Sequence, residues 1–184
     1  MKKYQIIYAD PPWQQTKGGL RKVRPNQKIT LDYLTIPING VKYFLSLFDR
    51  DCCDEDRVLF LWTIDKFLWE AENLGKDLGY KLHARIIWDK ENGVAPAFTI
   101  RYSHEYLLWF YKGKFLPIEK SMRGKFTTVI REKSTKHSKK PIKAYEFIEA
   151  LYPNKNKVEL FARNKRRDWD VWGNEVESDI DLSE

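Results

Sequence analysis

YQIIYADPPW, residues 4–13, opens with a short apolar run and closes on a segment that cannot extend it. Within Tyr4 to Ala9, Ile6, Ile7, Tyr8 and Ala9 are apolar or aromatic on consecutive positions, the pattern of a buried strand. Pro11 and Pro12 lack the amide hydrogen that a sheet ladder needs, so the strand ends at Asp10. Further along, "RVLFLWT" (57–63) reads as a second buried strand, and "KLHARIIWDK" (81–90) and "KVELFA" (157–162) as further strands. Between them, helices are expected over Val41–Phe48, Asp65–Leu78 and "IKAYEFIEALY" (142–152), the last with Pro141 at its first position. "EYLLWFYKGKF" (105–115) reads as a strand turning at Gly113 into a hairpin partner. Strands alternating with helices predict an α/β fold, a mostly parallel central sheet with helices on both faces. Ligands of such sheets sit at the carboxyl ends of the strands, where Asp10 lies.

The chain has 184 residues, enough for one domain with a sizeable core, and 15% of them are aromatic. The domain is expected over residues 1–176, followed by an acidic tail over 177–184. Lys and Arg number 33 against 26 Asp and Glu, a net charge of +7. The excess is concentrated: eleven Lys/Arg stand between Lys112 and Lys143 against Glu119 and Glu132 alone. Residues 14–30 form a second basic loop, with Lys17, Arg21, Lys22, Arg24 and Lys28 around Gly18-Gly19. Such segments point to a polyanionic partner, with nucleic acid the commonest. Cys52 and Cys53 are adjacent, which disfavours a disulfide between them, and no CxxC or histidine pairing predicts a metal. No signal peptide or membrane-length apolar run is present, so a reduced, cytoplasmic protein without membrane contact is expected.

The carboxylate and indole at the end of the first strand suit one chemical problem. An exocyclic amine on a nucleobase is a poor nucleophile because its lone pair is delocalised into the ring. An enzyme that alkylates it must accept its two hydrogens and draw the nitrogen toward tetrahedral geometry. Ionised Asp10 is an acceptor only, and the carbonyl of Pro11 offers a second site. Pro11 and Pro12 fix the backbone, so both acceptors are in place before the substrate arrives. Trp13 or Tyr33 supplies an aromatic face for a base taken out of its stack.

Four stretches, "ADPPW" (9–13), "HEYLLWFYKG" (104–113), "HSKKPIKAYEFIEALYP" (137–153) and "KVELFARNKRRDWDVWGNE" (157–175), resemble the DPPW-type N6-adenine methyltransferases in the order that family uses. That family includes the catalytic subunit of the eukaryotic mRNA adenosine methyltransferase and many bacterial and phage enzymes. The resemblance implies a Rossmann-like methyltransferase fold, S-adenosylmethionine as methyl donor, and a flipped adenine as acceptor. Asp10, Pro11, Pro12 and Trp13 match the family's catalytic motif. Glu105 falls where these enzymes place a carboxylate against the target adenine. Lys140, with Ser138 close by, matches a lysine beside donor and acceptor, although the adjacent Lys139 offers the same charge. Arg163, Asn174 and Glu175 match the segments that hold the donor's adenosine, and Gly173 permits close backbone approach. His104 and His137 are assigned no role, because the amine loses its proton after attack.

The expected activity is therefore site-specific adenine-N6 methylation, with DNA favoured over RNA because the compact chain resembles the phage and bacterial members. The alternatives are an RNA N6-adenosine methyltransferase and a catalytically silent nucleic-acid-binding subunit. The protein works alone, as a homodimer, or with a hetero-partner; the sequence does not choose. No metal is expected.

Overall fold

A computed structural model of the chain describes residues 2–14, 35–91, 100, 102–135 and 139–181. Its seven-stranded sheet is built from β1 (Tyr4–Ala9), β2 (Cys53–Thr63), β3 (Lys81–Asp89), β4 (His104–Lys112), β5 (Val129–Arg131), β6 (Lys157–Leu160) and β7 (Asp170–Trp172). Their order across the sheet is β5-β3-β4-β2-β1-β6-β7. Every neighbouring pair is parallel except the two that involve β4, which runs against both β2 and β3. Six strands thus point one way and one points back.

Three helices cover the sheet: α1 (Ile38–Cys52), α2 (Leu68–Asp77) and α3 (Ile142–Leu151). The period-two alternation of β1 sends Ile7 and Ala9 to one face and Ile6 and Tyr8 to the other. On the first face they meet Leu59, Leu61 and Phe110 beneath Val41, Leu45 and Phe48 of α1 and Leu74 of α2. On the second they meet Phe60, Trp62 and Trp109 beneath Ala144, Phe147, Ile148 and Leu151 of α3. Central strands buried on both faces explain why β1 and β2 read as unbroken apolar runs. The expected α/β architecture, with helices on both faces of a mostly parallel sheet, is the observed one.

The hairpin expected at Gly113 does not form. Both edges of β4 are already taken by β2 and β3, so no further strand can pair with it. Gly113 instead turns the chain off the sheet at φ +71°, a conformation that disfavours any side chain. A Cβ there would also meet the Glu55 carbonyl oxygen at 2.7 Å. Two short strands escaped the sequence reading: β5, inside the basic segment after Ser121, and β7, in the tryptophan-rich segment near the end. Each is three residues long and lies at an edge of the sheet, where the apolar signal is weakest. α3 begins at Ile142 with Pro141 as its N-cap, one position from the expected placement.

Beyond β7 the chain folds back. Asp179 accepts from the backbone N–H of Val171 at 3.0 Å and from Lys165 Nζ at 2.9 Å, and Ile180 packs on the first core. Cys52 and Cys53 are buried free thiols, and burial raises both above the ordinary thiol range. Among the described residues, no helix is long and apolar enough to cross a membrane.

Candidate active site

The reversed direction of β4 assembles the site. Asp10 follows β1 and Lys90 follows β3, both at the carboxyl edge of the sheet. Glu105 belongs to the start of β4, yet the antiparallel register sets it opposite Trp88, at the same edge. Lys140 arrives from the segment that leads into α3. That segment is fixed: the Glu132 carboxylate accepts the N–H groups of Ile142 and Lys143, each at 2.9 Å, and caps the helix. The Glu132 carbonyl in turn accepts the Trp88 indole N–H at 2.8 Å.

The four side chains form a continuous ion chain. Lys90 Nζ lies 2.6 Å from Glu105 Oε1, Lys140 Nζ lies 3.1 Å from Glu105 Oε2, and Lys140 Nζ lies 2.9 Å from Asp10 Oδ1. The two ammonium groups also stand over indole faces, Lys140 at 5.3 Å from the Trp62 ring and Lys90 at 5.3 Å from Trp88. Two cations and two carboxylates make the chain neutral overall. Burial pushes the Asp10 carboxyl above its usual range against the pull of Lys140. Burial acts on Glu105 in the same sense, but Lys140 and Lys90 outweigh it and hold Glu105 low. Lys140 is shifted upward by its two carboxylates in spite of its own burial. Of the two carboxylates, Asp10 is thus the one whose proton affinity is raised and Glu105 the one whose proton affinity is lowered.

Trp13 is not available as a stacking face. Its ring is 6% exposed, stacked on Phe67 at 5.9 Å between centroids, and its indole N–H donates to the Trp62 carbonyl at 3.0 Å. The indole pins the DPPW turn to the core, an anchoring role that the burial of its ring dictates. Around it, the Pro11 carbonyl accepts the Trp13 backbone N–H at 2.8 Å and the Pro12 carbonyl accepts that of Ile36 at 2.9 Å. A carbonyl oxygen has two lone pairs, so Pro11 keeps one for a second donor.

Beside Asp10 opens a cleft of about 550 Å³ between the carboxyl ends of β1 and β6 and the start of α3. Its walls include Asp10, Lys139, Lys140, Tyr145, Glu159, Phe161, Arg163, Asn164 and Glu175. Arg163 and Glu175 approach to 3.6 Å across it. The turn that carries Arg163 is held against β7: Ala162 donates its N–H to the Trp172 carbonyl at 2.9 Å. Gly173 packs so close to that turn that an added Cβ would collide with the Ala162 backbone. The close approach expected of Gly173 is thus to the chain itself. Phe161 adopts φ +63°, rare for a bulky side chain, and packs its ring on Phe44 and Trp172. Gly173→Ala is expected to destabilise the protein by about 2 kcal/mol through this overpacking. Urea melts would read it as a lowered midpoint.

The sequence-expected residues fall into three groups. Asp10, Glu105 and Lys140 meet in the ion chain, and Lys140, with a side chain 12% exposed, rather than the exposed Lys139, bridges the carboxylates. Arg163 and Glu175 face each other on the cleft, and Asn174 is an exposed neighbour of Glu175. Tyr33, Ser138 and His137, with most of the first basic loop, lie outside the described residues. His104 shares a hydrogen bond of 3.0 Å with Tyr106. Sequence reasoning missed Lys90, Tyr145 and Glu159. Glu159 carried a signal, since a carboxylate inside the apolar "KVELFA" strand is costly unless something uses it.

Comparison with known proteins adds the remaining observations. The family model described as MT-A70 matches residues 4–175. A Type II methyltransferase, M.MunI, from Mycoplasma sp is 30% identical over 186 residues, covering 95% of this chain and 78% of that protein. The human N(6)-adenosine-methyltransferase catalytic subunit METTL3 is 28% identical over 194 residues, and a putative N(6)-adenosine-methyltransferase MT-A70-like protein from Medicago truncatula is 26% identical over 184. These alignments also cover 95% of this chain but only 28% and 26% of those longer proteins.

Proposed function

Because this chain belongs to the MT-A70 family, we propose that it is a methyltransferase that moves a methyl group from S-adenosylmethionine to N6 of adenine in nucleic acid, with DNA as its substrate. The observation that carries the reading is the ion chain that holds Asp10 at the mouth of the cleft, with the Pro11 carbonyl beside it. DNA is preferred because M.MunI is matched over most of its length, whereas the N(6)-adenosine enzymes are matched over about a quarter of theirs.

The cleft fits the donor. Its volume is in the range of small-molecule sites, and its walls alternate carboxylates with Lys and Arg, as an amino-acid zwitterion joined to a ribose requires. In this reading Lys140 and Lys139 would hold the donor's carboxylate, and Arg163, Asn174 and Glu175 its ribose and adenine edge. Bound there, S-adenosylmethionine supplies a methyl group on a sulfonium, which leaves as a neutral thioether.

On the acceptor side, Asp10 and the Pro11 carbonyl take the two amine hydrogens of a flipped adenine. This draws the nitrogen lone pair out of conjugation and aims it at the cleft. Glu105 flanks the same position and orients the base, while Lys140 bridges it to Asp10 and favours the charged form of both. As the new C–N bond forms, positive charge appears on N6 next to the Asp10 carboxylate, which stabilises it. Burial makes Asp10 more basic than a free aspartate, so it is suited to receive the proton that N6 then sheds.

The test offers isotope-labelled S-adenosylmethionine with single-stranded DNA, duplex DNA and RNA separately, and separates the nucleosides after digestion. Label in N6-methyldeoxyadenosine is the expected result. Label in N6-methyladenosine alone would overturn the choice of DNA. Absence of label from all three, with donor binding intact, would overturn the catalytic reading.

A further inference from the structure

Helix α3 is accompanied along its length by the chain that leads into and through β5. Beside the end of the helix, Glu119 donates its N–H to the Leu151 carbonyl at 2.9 Å. Midway, the Phe126 ring stands edge-on to Phe147 at 5.1 Å between centroids. At the start of the helix, Lys143 Nζ donates to the Arg131 carbonyl at 2.6 Å. Residues 119–131 thus run antiparallel to α3 over about 15 Å, at about 1.5 Å per helical residue. Past β5 they reach the reaction site. There Glu132 and Ser134 donate their N–H groups to the carbonyls of Asp89 and Lys90, at 3.2 and 2.9 Å.

This run is a firm frame for positive charge. Leu116 is buried in the second core, and Ile118 and Met122 pack against it. Met122, Arg123 and Lys125 each donate a backbone N–H to the carbonyl three residues back, at 3.0, 3.3 and 3.2 Å. Lys120, Arg123, Lys125, Lys133 and Lys143 are all exposed, and none of them makes an ion pair among the described residues. The two acidic residues of the run serve the backbone instead. Glu132 caps α3, and Glu119 accepts the Ser121 N–H at 3.4 Å. On the other face of the sheet, by contrast, Lys42 is matched by Asp77 and Arg85 by Glu72. At the far end of the run a cleft of about 320 Å³ sets Lys120, Arg123 and Lys155 against Glu119 alone.

A row of unpaired cations on an ordered backbone fits a regularly spaced polyanion. We infer that the row from Lys143 to Lys120 binds the phosphodiester backbone of the substrate beyond its target nucleotide, leading it away from the ion chain along α3. This rests on the nucleic-acid reading given above. The length of α3 corresponds to about four base-pair steps of duplex at about 3.4 Å each. Phosphate contacts position a strand without reading its sequence. The surface therefore sets how firmly and in which direction the substrate lies, not which adenine is taken.

Fluorescence anisotropy over a range of potassium chloride concentrations tests this on the full chain, with a labelled duplex DNA of arbitrary sequence and the matching single-stranded RNA. A Lys120→Gln/Arg123→Gln/Lys125→Gln variant removes three charges from the row. A Lys3→Gln/Lys42→Gln/Lys76→Gln variant removes the same charge beside α1 and α2 and serves as the control. Each phosphate contact steepens the fall of log K with log salt by about 0.9 on duplex DNA and about 0.7 on a single strand. The first variant is expected to be shallower than wild type by about 2–3, and the control by less than about 1. In methyl transfer, the first variant should raise KM for nucleic acid roughly 10-fold and leave the rate at saturation unchanged, because none of its three residues touches the reacting atoms. A loss of slope on DNA assigns the surface to DNA and a loss on RNA assigns it to RNA; both support the proposal. A wild-type slope in the first variant, or an equal loss in the control, overturns it. Wild type that binds neither nucleic acid overturns the nucleic-acid reading itself, a different failure from wild type that binds and a variant that binds as well.

Discussion

Asp10→Asn is expected to slow methyl transfer by about a thousand-fold, or roughly 4 kcal/mol of transition-state stabilisation. The amide keeps the size of the carboxylate but presents an NH2 group or a weaker acceptor to the target amine. It has no charge to offer as N6 becomes cationic and no basicity to take the proton. Lys140 loses one of its two carboxylates but keeps Glu105 at 3.1 Å, so the ion chain shortens without collapsing. Donor affinity and nucleic-acid affinity should therefore change little. Single-turnover rates with label in the donor, set beside fluorescence-anisotropy binding of the nucleic acid, separate these quantities. A variant with the wild-type rate would remove Asp10 from the chemistry. One that lost nucleic-acid binding by as much as it lost rate would make Asp10 a recognition residue instead.

Asp49→Ala is expected to cost about 3–5 kcal/mol of stability, at the opposite edge of the sheet. The Asp49 carboxylate takes both Arg57 Nε and Nη2 at 2.6 Å, Lys112 Nζ at 2.8 Å, and the Tyr80 hydroxyl. Arg57 is 7% exposed, so removing Asp49 strands a buried guanidinium. Against a typical total stability of about 5–15 kcal/mol, that is a large fraction. Burial pushes the Asp49 carboxyl up, but hydrogen bonds from Arg57, Lys112 and Tyr80 outweigh it and hold it below the ordinary carboxylate range. The unfolded chain binds a proton there at higher pH than the native one. The contribution is thus complete above the ordinary carboxylate range and is lost as pH falls through the depressed value. Urea melts at pH 7 and in acid measure both effects; Asp51→Ala, which removes an exposed pair with Arg50, is the control that should change little. An Asp49 variant as stable as wild type would show that the network is passive.

What the sequence made legible was what local chemistry determines. β1 and β2 show as apolar runs because both their faces are covered, and Asp10 shows because prolines end its strand. The direction of β4 was not legible, since an apolar run reads the same whichever way it lies in a sheet. The mistaken hairpin at Gly113 has that origin: a turn glycine was visible, and the occupied edges of β4 were not. Trp13 reads as a ligand face or as an anchor until the fold shows which side of the turn it enters. Lys139 and Lys140 are equivalent in sequence, and only the fixed approach to α3 selects Lys140.

The return direction of β4 also frees the position of Glu105 from the length of the chain that leads to it. Glu105 is set by ladder register with β2 and β3, not by the stretch of chain that joins β3 to β4. A longer or shorter connection would leave the carboxylate at its post, because the ladder and not the connection sets the register. A shift of one residue within the strand would do the reverse, turning Glu105 to the other face of the sheet.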